Sequence, residues 1–231
     1  MEIVLNPVRT NVVLIALLVA LSGAAPSTGP STEPATPVAR WLKQLADDDP
    51  DVRDAAREQL MNLDREGLRE LKRAVERNRP LAPAQALALR DIVTHVFLAS
   101  LPYARAEGGA FVGVKMGPQP SGDGITVVAR IPGFAAYRAL RDGDVIVAIQ
   151  EWPEPLDDTA KFGRKIAEWR GGDTIHLKVR RGGRILTVPL TLSPRPQEAQ
   201  NAEAMRAEQM PAADEYWQQN FAPLLEQTAS S

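Results

Sequence analysis

Residues 140–149 read Leu140-Arg141-Asp142-Gly143-Asp144-Val145-Ile146-Val147-Ala148-Ile149. The first half carries turn chemistry: Gly143 permits a tight turn and the short carboxylate of Asp144 caps it. The second half is a short apolar run rich in β-branched residues, which reads as a buried strand. The same strand-like period extends in both directions. Upstream, Gly124-Ile125-Thr126-Val127-Val128-Ala129-Arg130-Ile131 is again β-branched, and Val112 and Val114 flank Gly113. Downstream, Ile175, Leu177 and Val179 alternate with His176 and Lys178. Gly182-Gly183 then gives a two-residue hairpin signal. Beyond it Leu186, Val188, Leu190 and Leu192 alternate with Thr187, Pro189 and Thr191. Pro189 has no N–H to donate, so its strand should have an unpaired edge. A helix over about 158–169, with Phe162, Ile166 and Trp169 on one side, and a short one near 134–139 complete the pattern. The expected fold class is α+β: a small, mostly antiparallel sheet or partial barrel with two helices, occupying residues 107–195.

Residues 38–103 have a helical period instead. Val38, Trp41, Leu42 and Leu45 open it, and Asp49-Pro50 supplies an N-cap followed by proline at the first helical position. Val52, Ala55, Ala56, Leu60 and Leu63 form the next stripe, and Asp64 caps a third helix with Leu68, Leu71 and Val75. Pro80 and Pro83 break the pattern before a fourth helix with Leu87, Ile92, Val96 and Leu98. The run Asp49-Pro50-Asp51-Val52-Arg53-Asp54-Ala55-Ala56-Arg57-Glu58-Gln59-Leu60-Met61-Asn62-Leu63 resembles one helix of a HEAT repeat. A solenoid needs about three repeats to stack a continuous core, and one is present. A small HEAT-like, all-α unit is therefore expected at 38–103, with spacer or support as its plainest role.

The ends read differently. A basic residue, Arg9, precedes about ten apolar residues from Val12 to Leu21, and then Ser22-Gly23-Ala24-Ala25. This is the form of a secretory signal peptide over 1–24, cleaved after Ala24, the alternative being an uncleaved anchor. Residues 25–37 are rich in Pro, Ser and Thr and read as a disordered linker. Residues 196–231 read as a mostly flexible tail with one short apolar helix carrying Trp217, Phe221, Leu224 and Leu225. Export by the signal peptide implies the periplasm or cell envelope, or secretion.

The sheet region resembles a bacterial PDZ domain of the kind attached to HtrA-type and C-terminal-processing proteases. Four stretches carry the resemblance: Phe111-Val112-Gly113-Val114, Ile131-Pro132-Gly133-Phe134-Ala135-Ala136, Leu140 to Ile146, and Gly172-Asp173-Thr174-Ile175-His176-Leu177-Lys178-Val179. The resemblance implies peptide binding by β-strand addition. Phe111, Val112, Gly113 and Val114 would form the carboxylate side, along an exposed edge at 112–116. Helical spacing puts Thr159, Phe162, Gly163 and Ile166 on neighbouring positions of one helix face, making them candidates for the opposite wall. Phe162 and Ile166 could equally be plain core. The implied partners are protein or peptide C-termini, an envelope protease or membrane protein among them, with membrane contact only through an uncleaved leader.

Other chemistry finds little footing. The 231 residues contain no cysteine, two distant histidines and a net charge of −2, which leaves no thiolate or histidine-rich metal site and no basic surplus for nucleic acid. His95 falls on a helix and His176 on the polar face of a strand. No Gly-x-Ser-x-Gly elbow, Walker loop or dinucleotide fingerprint occurs. The expectation is a non-enzyme with no catalytic residues, cofactor or metal. The alternative to a peptide-binding adaptor is a structural or regulatory subunit. Its groove would be degenerate, and contacts would run through the helical unit or the C-terminal stripe.

Overall fold

The computed structural model describes residues 36–118 and 122–226. The leader expected at 1–24, and the linker as far as residue 35, lie outside them. Thr36 is already structural: its hydroxyl accepts from Ala39 N–H and it caps helix α1 (Pro37–Gln44). Helices α2 (Pro50–Met61), α3 (Arg65–Arg77) and α4 (Pro83–Ser100) follow. Asp49 accepts from Asp51 N–H at 2.9 Å and Asp64 from Gly67 N–H at 2.8 Å, satisfying N–H groups that a helix start leaves without partners. The apolar stripes converge on one core containing Leu42, Leu60, Leu68, Leu71, Leu89 and Ile92.

The sheet region consists of β1 (Arg105–Phe111), β2 (Val114–Pro118), β3 (Ile125–Arg130), a short helix α5 (Ala136–Ala139), β4 (Val145–Ile149), α6 (Thr159–Ile166), β5 (Thr174–Arg181), β6 (Arg184–Thr191) and β7 (Ser193–Pro196). Strands β2 to β6 form a five-stranded antiparallel sheet in chain order. The fold class is the α+β arrangement expected, a mostly antiparallel sheet with two helices behind an all-α unit. Gly182-Gly183 closes the β5–β6 hairpin, and Pro189 lies on β6 at one edge of the sheet. Asp144 is buried and accepts from Arg141 N–H at 2.8 Å, the cap its sequence context suggests. It also receives both Nε and an NH2 nitrogen of Arg181, at 2.8 and 2.7 Å, a bidentate pair tying the turn to β5.

Several boundaries shift. The expected edge strand at 112–116 starts at Val114, because Val112 and Gly113 turn the chain from β1 into β2. The helix expected over 158–169 spans Thr159–Ile166, with Asp158 as its cap and Trp169 packed on the sheet core beyond its end.

The larger correction concerns the C-terminal region, expected to be a mostly flexible tail from residue 196. Strand β7 pairs with β1 as a separate two-stranded ribbon. Its two prolines are tolerated because it has only one strand neighbour. Helices α7 (Ala202–Asn220) and α8 (Ala222–Glu226) follow. Ala213, Trp217, Phe221 and Ala222 enter the N-terminal helical core, with Trp217 stacked on Phe221 at 5.8 Å. Pro211 and a polar outer face hide this helix in the sequence, whereas its few large apolar side chains dock on residues over a hundred positions away.

Polar links join the helical and sheet regions. The Tyr137 hydroxyl donates to Asp91 Oδ1 at 2.5 Å, and Arg57 donates to Asp91 Oδ2 at 2.6 Å. Burial, reinforced by Asp91, pushes the Tyr137 phenol above its ordinary pKa. The Tyr137 ring also stacks on His95 at 5.1 Å, and Arg141 pairs with Asp54.

Trp217 is 5% exposed and belongs to the helical core, on a helix that packs against α4. Trp217→Ala should therefore destabilise the protein by about 3–5 kcal/mol in urea unfolding. A loss below about 0.5 kcal/mol, ordinary for a surface substitution, would place α7 outside the core.

Candidate functional site

Strand β2 is the other edge of the five-stranded sheet, and α6 packs beside it and beside β1. Between them lies a cavity of about 240 Å³. Phe111, Val112, Gly113, Val114 and Met116 line its strand side, and Phe162, Gly163 and Ile166 its helix side. Seven of the eight residues expected to form a groove thus meet at one cavity. Thr159 does not: it begins α6, nearly one turn before Phe162, and falls outside the lining. Phe162 and Ile166 are also core residues, buried in the cluster under the sheet, so core packing and groove lining coincide in the same side chains. A Cβ placed on Gly163 would meet no atom within 4 Å, so the helix side has open space there.

The loop between β1 and β2 has an asymmetric hydrogen-bond pattern. Val112 C=O accepts from Ala136 N–H and Gly113 C=O from Ile131 N–H, both at 2.9 Å. The N–H groups of Val112 and Gly113 have no acceptor among the described residues. Buried backbone donors normally have partners, and two adjacent free donors suit an anionic or carbonyl group.

The loop is held in place from behind. Gly113 has φ +82°, and a Cβ there would lie 2.2 Å from that of Phe134, so only glycine fits. Phe134 meets Phe111 and Tyr103 edge-on at 5.0 and 5.5 Å. It follows Gly133, whose own Cβ would lie 3.0 Å from Leu98 of α4. Gly133 N–H donates to His95 Nδ1 at 3.0 Å, and Gly133 C=O accepts from Arg206 of α7 at 3.3 Å. The Arg206 guanidinium lies against the rings of both Tyr103 and Phe134, at 5.1 and 4.7 Å. Burial pushes it down to about 10, which leaves it charged at neutral pH. Nothing in the sequence marks Arg206: it sits in a polar stretch, and its burial comes from two aromatic rings distant along the chain.

A third wall also escaped the sequence reading. Arg195 of β7, with Ala199 and Gln200 of the 3-10 turn Ala199–Asn201, lines the same cavity. The histidines occupy structural positions. His95 is 3% exposed and engaged with Gly133, while His176 Nδ1 lies 2.6 Å from Glu151 Oε1. Neither imidazole bonds to a serine hydroxyl among the described residues. Nor do three His, Cys, Asp or Glu side chains there converge as a metal ion would need. No described helix is long and apolar enough to cross a membrane.

No protein-family model and no curated protein matches the chain. Among solved structures it is 23% identical to an HtrA-type protease, AlgW, determined with a decapeptide, with a TM-score of 0.35 over 48% of this chain and 35% of that one. A serine endoprotease from Yersinia pestis matches at 24% identity and TM-score 0.32, over 37% and 29% of the two chains. An aminopeptidase N family protein from Idiomarina loihiensis matches at 25% and 0.34, over 41% and 16%. These likenesses are partial, and the chain spans about a third or less of the length of each of these proteins.

His95 supplies a test of the support beneath the loop. Burial, and after it the Arg138 charge, hold its pKa at about 3, against an ordinary 6.5. In that interval the unfolded chain binds a proton that the folded chain refuses, so stability falls as pH drops from about 6.5 towards 3. Urea unfolding of wild type should lose roughly 1 kcal/mol more per pH unit than His95→Gln between about pH 6 and pH 4. Parallel curves would contradict a buried neutral imidazole.

Proposed function

We propose that residues 107–195 form a PDZ-type module that binds an extended peptide, or the C-terminus of a partner protein, by strand addition along β2. The observation that carries this is the open edge of β2 beside α6, over an apolar cavity ending at the free N–H groups of Val112 and Gly113. An added strand gains main-chain hydrogen bonds from the edge and selectivity from the pocket between edge and helix. The cavity's Val, Met, Phe and Ile side chains favour an aliphatic or aromatic residue on the peptide. In this reading the chain is a non-catalytic adaptor. The four N-terminal helices serve as a HEAT-like support, and the leader at 1–24 exports the protein to the periplasm or cell envelope. Its partners are protein C-termini or exposed segments, an envelope protease or membrane protein among them.

Peptide display on the mature protein tests the reading. Wild type should enrich peptides with an apolar residue at or near the C-terminus. Gly163→Leu fills the open space over α6 while improving helix propensity by up to about 1 kcal/mol. It should leave the unfolding midpoint equal or higher and weaken the enriched peptides at least tenfold, about 1.4 kcal/mol. No enrichment, or binding untouched by Gly163→Leu, would overturn the proposal in favour of a regulatory subunit that contacts partners through its helices.

A further inference from the structure

A second cavity, of about 570 Å³, lies between the helical and sheet regions, a volume ordinary for a small-ligand site. It shares no lining residue with the groove beside β2. Two charged side chains line it, Arg105 of β1 and Arg138 of α5, and no carboxylate does. Other arginines of this chain take acids: Arg57, Arg130 and Arg181 each pair with an aspartate. Arg138 is half-buried and has no ion pair among the described residues. Its one hydrogen bond there is to Thr191 C=O, at 3.5 Å, and Glu58 attracts it without pairing. Arg105 lies over the Tyr103 ring at 5.6 Å and has no carboxylate partner among the described residues either. Taking charge out of water without a full partner is costly for the protein alone.

A third donor on the same lining comes from His95. Its Nδ1 accepts from Gly133 N–H, so the proton of the neutral ring sits on Nε2. That Nε2–H has no acceptor among the described residues, although the residue is only 3% exposed, and buried polar groups normally have one. Arg138 is the charge that bears most strongly on this ring. Leu63, Leu101, Pro102 and Pro194 add apolar surface to the wall.

We infer that this cavity is a binding site for a small organic anion, whose carboxylate or phosphate accepts from Arg138 and from His95 Nε2–H. Arg105 supplies the second positive charge, and the apolar body of the ligand rests on Leu63, Leu101, Pro102 and Pro194. The guanidinium fork matches two oxygens of one oxyanion, and such charge-assisted bonds are stronger than neutral ones. A cationic ligand would meet two positive charges and no acid. A neutral one would leave both guanidinium groups as they are. The site is independent of the groove beside β2, so either can stand without the other.

The test is a chemical-shift titration of the ¹⁵N-labelled intact protein at constant ionic strength. The probes are phenyl phosphate and benzoate, their neutral counterparts benzyl alcohol and benzamide, and inorganic phosphate. At least one of the two organic anions should saturate and move the His95 Nε2–H signal, while the neutral pair leaves it in place. Inorganic phosphate should bind more weakly than the organic anion, having no body to set against the apolar wall. Arg138→Gln should weaken the organic anion at least tenfold and Arg105→Gln by a smaller factor. Arg138→Lys should restore part of the loss, and Arg164→Gln, at an exposed position on α6, should change nothing. Thermal unfolding checks that each variant is folded. A His95 signal unmoved by both organic anions, shifts confined to Phe162 and Gly163, or binding that survives Arg138→Gln would overturn the site. Equal affinity for inorganic phosphate would overturn the role given to the apolar wall.

Discussion

The peptide unit around Gly133 is gripped from two sides. Its N–H is taken by His95 of α4 and its C=O by Arg206 of α7. Both partners are almost fully buried, so neither bond competes with bulk water, and losing one would leave a buried polar group unsatisfied. The grip fixes Phe134, and Phe134 occupies the space where any side chain at position 113 would stand. The position of the β1–β2 loop, and with it the direction of two free N–H groups, therefore depends on helices that precede and follow the sheet region in the chain. The aromatic cluster of Tyr103, Phe111 and Phe134 transmits this through close-packed rings.

The sheet has two edges, treated differently. Pro189 on β6 removes a donor from one, which blunts it against pairing with another strand. The β2 edge has α6 alongside and an apolar cavity between them, so an added strand there would gain both hydrogen bonds and buried surface. Lys115 on β2 is engaged with Glu203 of α7, which joins that edge to the same C-terminal helix that holds Gly133. The C-terminal segment thus reaches this region through three residues of different kinds: Arg195 in the cavity wall, Glu203 paired with Lys115 of the edge strand and Arg206 beneath the β1–β2 loop.

Much of this was legible in the sequence because it rests on local chemistry. Asp49 and Asp64 announce helix starts, Gly182-Gly183 announces a hairpin, and alternation in 175–179 and 186–192 announces strands. Seven of the eight candidate residues line one cavity because a turn motif and helical spacing are local signals. Thr159 stands nearly one helical turn short of the cavity lining, since periodicity fixes a face but not where along the axis a cavity ends. Strand β7, α7, Arg195 and Arg206 were not legible. Prolines and charges read as tail by composition, yet here they are ordered by long-range packing: Trp217 and Phe221 in the N-terminal helical core, and Arg206 against two rings.

The most direct test of the account is amide hydrogen exchange at Ile131 and Ala136, whose N–H groups hold the carbonyls of Gly113 and Val112. Arg206→Met keeps the apolar stem and removes the charge that grips Gly133. The account predicts faster exchange at both amides in this variant, with the amides of β4 and β5 unchanged. Undiminished protection at Ile131 and Ala136 would contradict it, because the loop would then hold its shape without the clamp.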